Sequence, residues 1–309
     1  MNFQQLRIVR ETVRRNFNLT DVANALFTSQ SGVSKHIKDL EDELGVELYV
    51  RKGKRILGLT APGASLIKFV EKILLEVDNI KNVAAHYTKE DSGQLTIATT
   101  HTQARYALPK VVTEFKRRYP KVHMKLHQGN PKEIVDLVLA GEADIGIATE
   151  SLGDVPELSS FPYYAWRHDV VVPAGHPLFE TNHPSLTDIA AYPIITYHEG
   201  FTGRARIENA FAKAGVTPDI IMSALDADVI KSYVELDLGI GIIAPVAYDP
   251  HRDTRLNRLH CSHLFEENLS LIAIRRGHLL RRYAYDFIHL CSPQLDEETV
   301  KRNGLREAS

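Results

Sequence analysis

A chain of 309 residues, 44% hydrophobic and 25% charged, is long enough for two or three separately cored units and reads as globular rather than disordered or fibrous. Its net charge of -2 excludes any inference of nucleic-acid binding from total charge, but the sign is uneven. Residues 1–60 hold ten Lys/Arg against seven Asp/Glu, a balance of +3, while the remainder holds 27 against 32, a balance of -5.

Only Cys261 and Cys291 are present, which excludes a disulfide framework and points to a reducing, cytoplasmic compartment. The histidines lack the close Cys/His spacing of a structural zinc site, so neither a metal nor a cofactor is expected. The opening MNFQQLRIVRETVRRN is amphipathic and Arg-bearing, but Glu11 interrupts it and no cleavage-like region follows, so it reads as the first helix of a folded domain. The most hydrophobic run, around 229–247, contains Lys231, Glu235 and Asp237 and predicts no membrane span.

Helical periodicity dominates residues 2–88. A first helix puts Leu6, Val9 and Val13 on one face; a second, from Thr20, turns Val22, Ala23 and Leu26 inward. After the break Phe27-Thr28-Ser29, a third helix runs through SGVSKHIKDLEDEL to a C-cap at Gly45, with Val33, Ile37, Leu40 and Leu44 as its buried stripe. Its opposite face then carries Gln30, Ser31, Ser34, Lys35 and Lys38, short polar groups and cations that suit base edges and phosphates. The C-terminal half carries Asp39, Glu41, Asp42 and Glu43, which a phosphate backbone repels. Only the N-terminal half, with Thr28 before it, is therefore expected to enter a groove of double-stranded DNA.

In ELYVRKGKRILGLT at 47–60, Arg51, Lys52, Lys54 and Arg55 surround Gly53 between two apolar runs, which predicts a hairpin with a basic tip beside that groove. From Leu66, the spacing of Leu66, Val70, Ile73, Val77, Ile80 and Ala84 is that of a heptad, predicting a helix over 61–88 that pairs with a second copy. The polar TKEDSG at 88–93 reads as a hinge, and strands alternate with helices from 94 to about 292. Strand candidates are LTIAT, VHMKLH, DIGIAT, DVVVP, PIITY, DIIMSAL, GIGIIAP and LSLIAIRR. The expected domains are 1–60, a linker helix over 61–88, a hinge over 89–93, and an α/β unit over 94–309. Two lobes are expected in the last, about 94–161 with 269–292, and about 162–268, with a ligand cleft between them.

At the strand-to-helix transitions of that unit stand uncharged donors: Thr100, Thr102 and Gln103 after LTIAT, Thr149 after DIGIAT, and Thr202 beside Gly203. Such positions suit a small anion or an amino-acid-like molecule. A Thr–His nucleophile is disfavoured, because neighbours on an extended strand face opposite sides and His101 then turns away from Thr100 and Thr102. Neither a G-x-S-x-G elbow nor a P-loop is present, and LGIGIIAP lacks dinucleotide-binding spacing, so an enzyme is not expected. A free-standing small-molecule binding protein is the alternative; it usually carries an export signal and leaves the basic hairpin unexplained.

The motifs TSQSGVS, IATTHTQARYALP, GEADIGIATE, TGR at 202–204 and DADVIK at 226–231 identify a resemblance to the LysR-type transcriptional regulators, over nearly the whole chain. Within that family the chain is most similar to the CysB and Cbl subgroup of sulfur-assimilation regulators. The resemblance implies a winged helix-turn-helix on promoter DNA, a pairing linker helix, and a two-lobed effector domain like a periplasmic binding protein. It implies a homotetramer, with RNA polymerase as a further partner. It implies acetylserine as inducer and sulfate or thiosulfate as opposing ligands, held by Thr100, Thr102, Gln103, Thr149 and Thr202, with Trp166 near the cleft. A relative that serves alkanesulfonate or taurine use with a different small anion is the alternative within the family.

Overall fold

The computed structural model describes residues 1–304 apart from Lys54, 88–90, Asn182 and Thr202. Two compact units are present, Met1–Thr88 and Lys89–Ser309.

In the first unit, helix α1 (Phe3–Arg14) starts at Asn2, whose side chain accepts from Gln5 N while the Gln5 side chain accepts from Asn2 N. Helix α2 (Leu19–Ala25) is capped by Asn18, and α3 (Gln30–Leu44) by Ser29, whose hydroxyl accepts from Gly32 N at 3.1 Å. The cap explains why α3 begins at Gln30, one residue earlier than the periodicity indicates. Gly45 closes α3 in the left-handed region, at φ 68°. Val33, Ile37 and Leu40 are buried with Leu6, Ile8, Val9 and Val22, but Leu44 is 39% exposed. The buried stripe therefore stops at Leu40, because the helix ends one turn later and the core does not reach that far.

Strands β1 (Tyr49–Lys52) and β2 (Arg55–Leu59) form the expected hairpin, closing at Lys52 opposite Arg55, with Gly53 at φ 61°. Helix α4 (Ala61–Tyr87) follows, its first turn capped by Thr60, whose hydroxyl accepts from Gly63 N. A Cβ on Gly63 would lie 2.1 Å from the Leu48 carbonyl oxygen, so only glycine lets α4 pass this close to the hairpin. The expected heptad row divides in two: Leu66 and Val70, joined by Ile67 and Leu74, pack into the three-helix core, whereas Ile73 and Ile80 are exposed, as are Phe69 and Val83. Helix α4 thus belongs to the first compact unit rather than starting a separate one at residue 61.

The second unit contains two five-stranded sheets. The first has β3 (Gly93–Thr99), β4 (Val122–Gln128), β5 (Ile145–Ala148), β6 (Leu158–Trp166) and β12 (Asn268–Arg275) in the order β4-β3-β5-β12-β6. The second has β7 (Asp169–Pro173), β8 (Ile194–Tyr197), β9 (Ile220–Ala224), β10 (Ile240–Ile243) and β11 (Leu256–Leu259) in the order β11-β7-β10-β8-β9. Helices α5 (Leu108–Arg118) and α6 (Pro131–Leu139) belong to the first lobe, and α7 (Leu186–Ala190), α8 (Arg204–Lys213) and α9 (Ala227–Val234) to the second.

Three boundaries differ from expectation. Strand β3 begins at Gly93, inside the expected hinge. The chain leaves the first lobe after Trp166 rather than near Phe161, because β6 pairs with β12 from Leu158–Arg275 through to Trp166–Asn268. Pro162 obscured this strand in the sequence; it is tolerated because β6 is an edge strand, beside a register shift at Ser270/Leu271. Beyond 275 the chain returns to the first lobe as α10 (Arg282–Cys291) and α11 (Glu297–Gly304), burying Phe287, Ile288 and Val300 against Leu95, Ile97 and Phe115. The lobe thus extends past 292. Among the described residues, no helix is long and apolar enough to cross a membrane.

Ile37→Ala is expected to destabilise the first unit by about 2–5 kcal/mol, whereas Leu44→Ala should stay within about 0.5 kcal/mol. Urea unfolding of the two variants distinguishes a stripe that ends at Leu40 from one that continues.

Candidate functional site

Strands β3 and β5 are parallel neighbours, with Thr99 opposite Ile147, so they end together at one edge of the first sheet. The Thr99 hydroxyl donates to the Ile147 carbonyl at 2.9 Å. Thr100 and Thr149, each the first residue past its strand, are thereby brought to that same edge, both under a tenth exposed. After Thr100 the chain turns into a π-helical turn, Gln103–Ala107, before α5. Pro109 lacks the N–H that an α-helix would donate to the Arg105 carbonyl, which favours this wider turn.

Gln103 is buried, and its amide donates to the Tyr164 hydroxyl at 2.8 Å and to Ser270 Oγ at 3.2 Å. The Trp166 indole N–H donates to the same Ser270 oxygen at 3.1 Å. Tyr164 and Ser270 face each other across β6 and β12, as do Trp166 and Asn268. Gln103 and Trp166, 63 positions apart by their residue numbers, thus meet through one serine. Thr102 is buried, and burial pushes the phenol of Tyr197 in the second lobe upward in pKa.

Between the lobes lies a cavity of about 350 Å³, lined by Thr100, His101, Thr102, Gln128, Phe201 and Asp226, among others. Thr202 lies outside the described residues. Its neighbour Gly203 has φ 70°, and a Cβ there would come within 2.3 Å of Asn268 Oδ1 and 2.8 Å of His168 Cε1. Asn268 and His168 are both fully buried, one on each chain segment that crosses between the lobes. Asn268 Oδ1 has no hydrogen-bond partner among the described residues.

The structure corrects two expectations about this cleft. Its wall is not made of neutral donors alone, since His101, Glu133 and Asp226 share it. Nor is His101 on an extended strand: residues 101 and 102 are already helical. The imidazole instead bridges Gln128 Oε1 and Asp228 Oδ2, each at 3.0 Å. Burial opposes its protonation, but the hydrogen bonds to Asp228 and Gln128 outweigh that and raise its pKa above the ordinary 6.5.

His101, Asp226 and Asp228 bring ligand-type atoms within 4.8 Å of one another, a grouping invisible in sequence spacing. Arg105 Nε already lies 2.7 Å from Asp228, and the Tyr106 hydroxyl donates to its other oxygen. The sequence missed Tyr164, Asn268 and Ser270 as site residues. The aromatic pair in the unrecognised strand β6 was the available signal for the first of these.

In the first unit, Thr28, Gln30, Ser31, Lys35 and Lys38 are exposed on one side of the start of α3, and Ser34 is half-buried. Lys52 and Arg55 are exposed at the hairpin turn, and Lys54 lies outside the described residues. Arg51 behaves differently. Its guanidinium donates to Glu41 Oε2 at 2.9 Å, while Glu41 Oε1 accepts from Leu48 N, so Arg51 fastens the hairpin to α3.

A helical domain with a polar reading face and basic hairpin, joined in one chain to a two-lobed domain with a polar cleft, defines a ligand-responsive DNA-binding regulator. Residues 3–64 match the bacterial regulatory helix-turn-helix protein of the lysR family, and 88–296 match the LysR substrate binding domain. The chain belongs to the LysR family of transcriptional regulators, whose members bind promoter DNA and a small-molecule effector. It is 54% identical over 308 residues to the HTH-type transcriptional regulator SsuR of Burkholderia cenocepacia, covering 100% of both chains. To the HTH-type transcriptional regulator CysB of the same organism it is 50% identical over 302 residues, covering 98% of this chain and 96% of that one. The crystal structure of the cofactor-binding domain of the Cbl transcriptional regulator is 47% identical with a TM-score of 0.67, covering 70% of this chain and 94% of its own.

Arg55→Ala is expected to weaken binding to any duplex and to reduce the salt slope by about one. Arg51→Ala should change the slope less and instead loosen the hairpin, because Glu41 then holds it only through Leu48 N. Gel shifts across a salt series, with thermal melting of both variants, check the distinction.

Proposed function

We propose that this chain regulates sulfur-assimilation genes in response to a small effector held between the lobes, with acetylserine as inducer and sulfate or thiosulfate as opposing ligands. One observation carries the reading: Thr100 and Thr102, each under a tenth exposed, line the inter-lobe cavity after β3, and buried Thr149 stands at the end of the adjacent parallel strand β5. Threonine hydroxyls there, with backbone N–H groups at the start of the following turn, can desolvate an oxyanion without a salt bridge. A cavity of about 350 Å³ suits an oxyanion or a small amino-acid derivative. The full-length likeness to CysB and SsuR supports the assignment to this subgroup.

On the DNA side, the N-terminal half of α3 reads base edges of duplex promoter DNA, and Lys52, Lys54 and Arg55 track the backbone. Exposed Phe69, Ile73, Ile80 and Val83 on α4 support pairing with a second copy, and two such pairs make a tetramer. RNA polymerase is the further partner of the promoter-bound protein. The regulator works in the cytoplasm and uses no cofactor beyond its effector.

A hydrogen bond to a charged group contributes about 1.5–3 kcal/mol. Thr100→Ala is therefore expected to weaken sulfate binding by about one to two decades in calorimetry; an unchanged affinity would remove this pocket. Lys35→Ala is expected to lower the ratio of promoter to random-duplex affinity in gel shifts. An unchanged ratio would take α3 out of base recognition.

A further inference from the structure

The effector reading uses only part of the two motifs TTHTQARY, at 99–106, and DADVIK, at 226–231. Thr100 and Thr102 line the cavity, and Gln103 anchors the turn that carries them through its bonds to Tyr164 and Ser270. The other polar residues of the two motifs meet each other across the lobes. Asp228 of α9 receives His101 Nε2 at 3.0 Å and Arg105 Nε at 2.7 Å on one oxygen, and the Tyr106 hydroxyl at 2.6 Å on the other. Lys231, one helical turn on, donates to the Tyr106 hydroxyl at 3.0 Å and to the Ala247 carbonyl at 2.8 Å. It is also paired with both carboxylate oxygens of buried Asp253, at 2.9 and 3.0 Å.

The Tyr106 ring, a first-lobe group, packs against the second-lobe core cluster that contains Val171, Ile195 and Ile230. The same π-helical turn carries Gln103, facing β6 and β12, and Tyr106, facing α9. Any motion that withdraws Tyr106 from Asp228 and Lys231 must therefore move the effector-holding residues too.

We propose that His101, Arg105 and Tyr106 of one lobe and Asp228 and Lys231 of the other form a latch that holds the cleft closed, positions Thr100, Thr102 and Gln103, and sets the apparent affinity for effector. The proposal rests on the cleft being the effector site. These are positioning residues, acting through the turn they anchor, and the lobe arrangement they stabilise is the binding-competent one. Facing the His101 imidazole are Gln128 from β4 and Asp226 and Asp228 from the start of α9, with Arg105 on the shared carboxylate. Because these contacts raise its pKa, the closed form binds the His101 proton more tightly than the open form. The contribution of that proton is complete below the ordinary 6.5 and is lost as pH rises through the raised value.

The test uses full-length wild-type, Tyr106→Phe, Asp228→Asn and His101→Gln proteins, with sulfate as the calorimetric probe. The ligand-free emission of Trp166, the one tryptophan in the chain, is the second readout. Tyr106→Phe and Asp228→Asn should each weaken sulfate about tenfold and shift the Trp166 emission. Wild-type affinity should fall as pH rises through the raised His101 value, and His101→Gln should flatten that profile.

Simple electrostatics gives the opposite sign: removing the Asp228 charge beside an anion site tightens binding, and removing the uncharged Tyr106 hydroxyl changes nothing. Tighter sulfate binding by Asp228→Asn, or unchanged affinity in Tyr106→Phe, overturns the latch. If the wild type binds no sulfate, the effector reading fails separately. The latch is then decided by Trp166, and identical ligand-free spectra for wild type, Tyr106→Phe and Asp228→Asn overturn it.

Discussion

A carboxamide with 3% of its surface exposed must find its hydrogen bonds inside the protein, and Gln103 finds them on Tyr164 of β6 and Ser270 of β12. Those two strands lead into the crossings between the lobes. The amide therefore ties the turn after β3 to the junction about which the lobes are arranged, and Trp166 joins it by donating to the same serine. Thr100 and Thr102 are held in place by this attachment and by the parallel pairing of β3 with β5. Without it, the hydroxyls would stand on a loose surface turn.

Beside this neutral centre, where the turn after β3 meets α9, lies a cluster of paired charges. His101, Arg105 and Lys231 surround Asp228, and Asp253 offsets Lys231 from the far side. Burial alone would raise the Asp228 carboxyl, but the hydroxyl of Tyr106, His101 and the neighbouring cations bring it below its ordinary value. Burial likewise opposes the Lys231 ammonium, and its bonds to Tyr106 and Asp253 outweigh that. Each charge of this cluster is thus paired within the protein, which offsets the cost of holding it partly buried.

The DNA-binding unit follows the same economy of fixed polar groups. Ser29 and Gly45 bound α3, three apolar residues seat it, and Glu41 holds the hairpin to it through Arg51 and Leu48 N. One of the four cations that looked available for phosphate is thus structural. The exposed Lys52 and Arg55 remain on the outer surface of the turn.

Much of this was determined by the sequence alone: the three N-terminal helices and the Gly45 cap, the basic hairpin, the alternation of strands and helices, and the positions of Thr100, Thr102, Gln103 and Thr149 after their strands. These are local properties, set by periodicity, capping residues and turn chemistry within a few positions. Strand β6 was hidden because Pro162 and clustered aromatics break its alternation, and only its place at a sheet edge makes that acceptable. The tertiary structure alone decided that Leu44 lies outside the core, that Arg51 is engaged, and that Gln103 meets Ser270 across 167 positions. It also decided that His101 meets Asp228 across 127 positions. Such pairings depend on strand order and on where the chain crosses between lobes, and no residue's own chemistry or spacing carries that information.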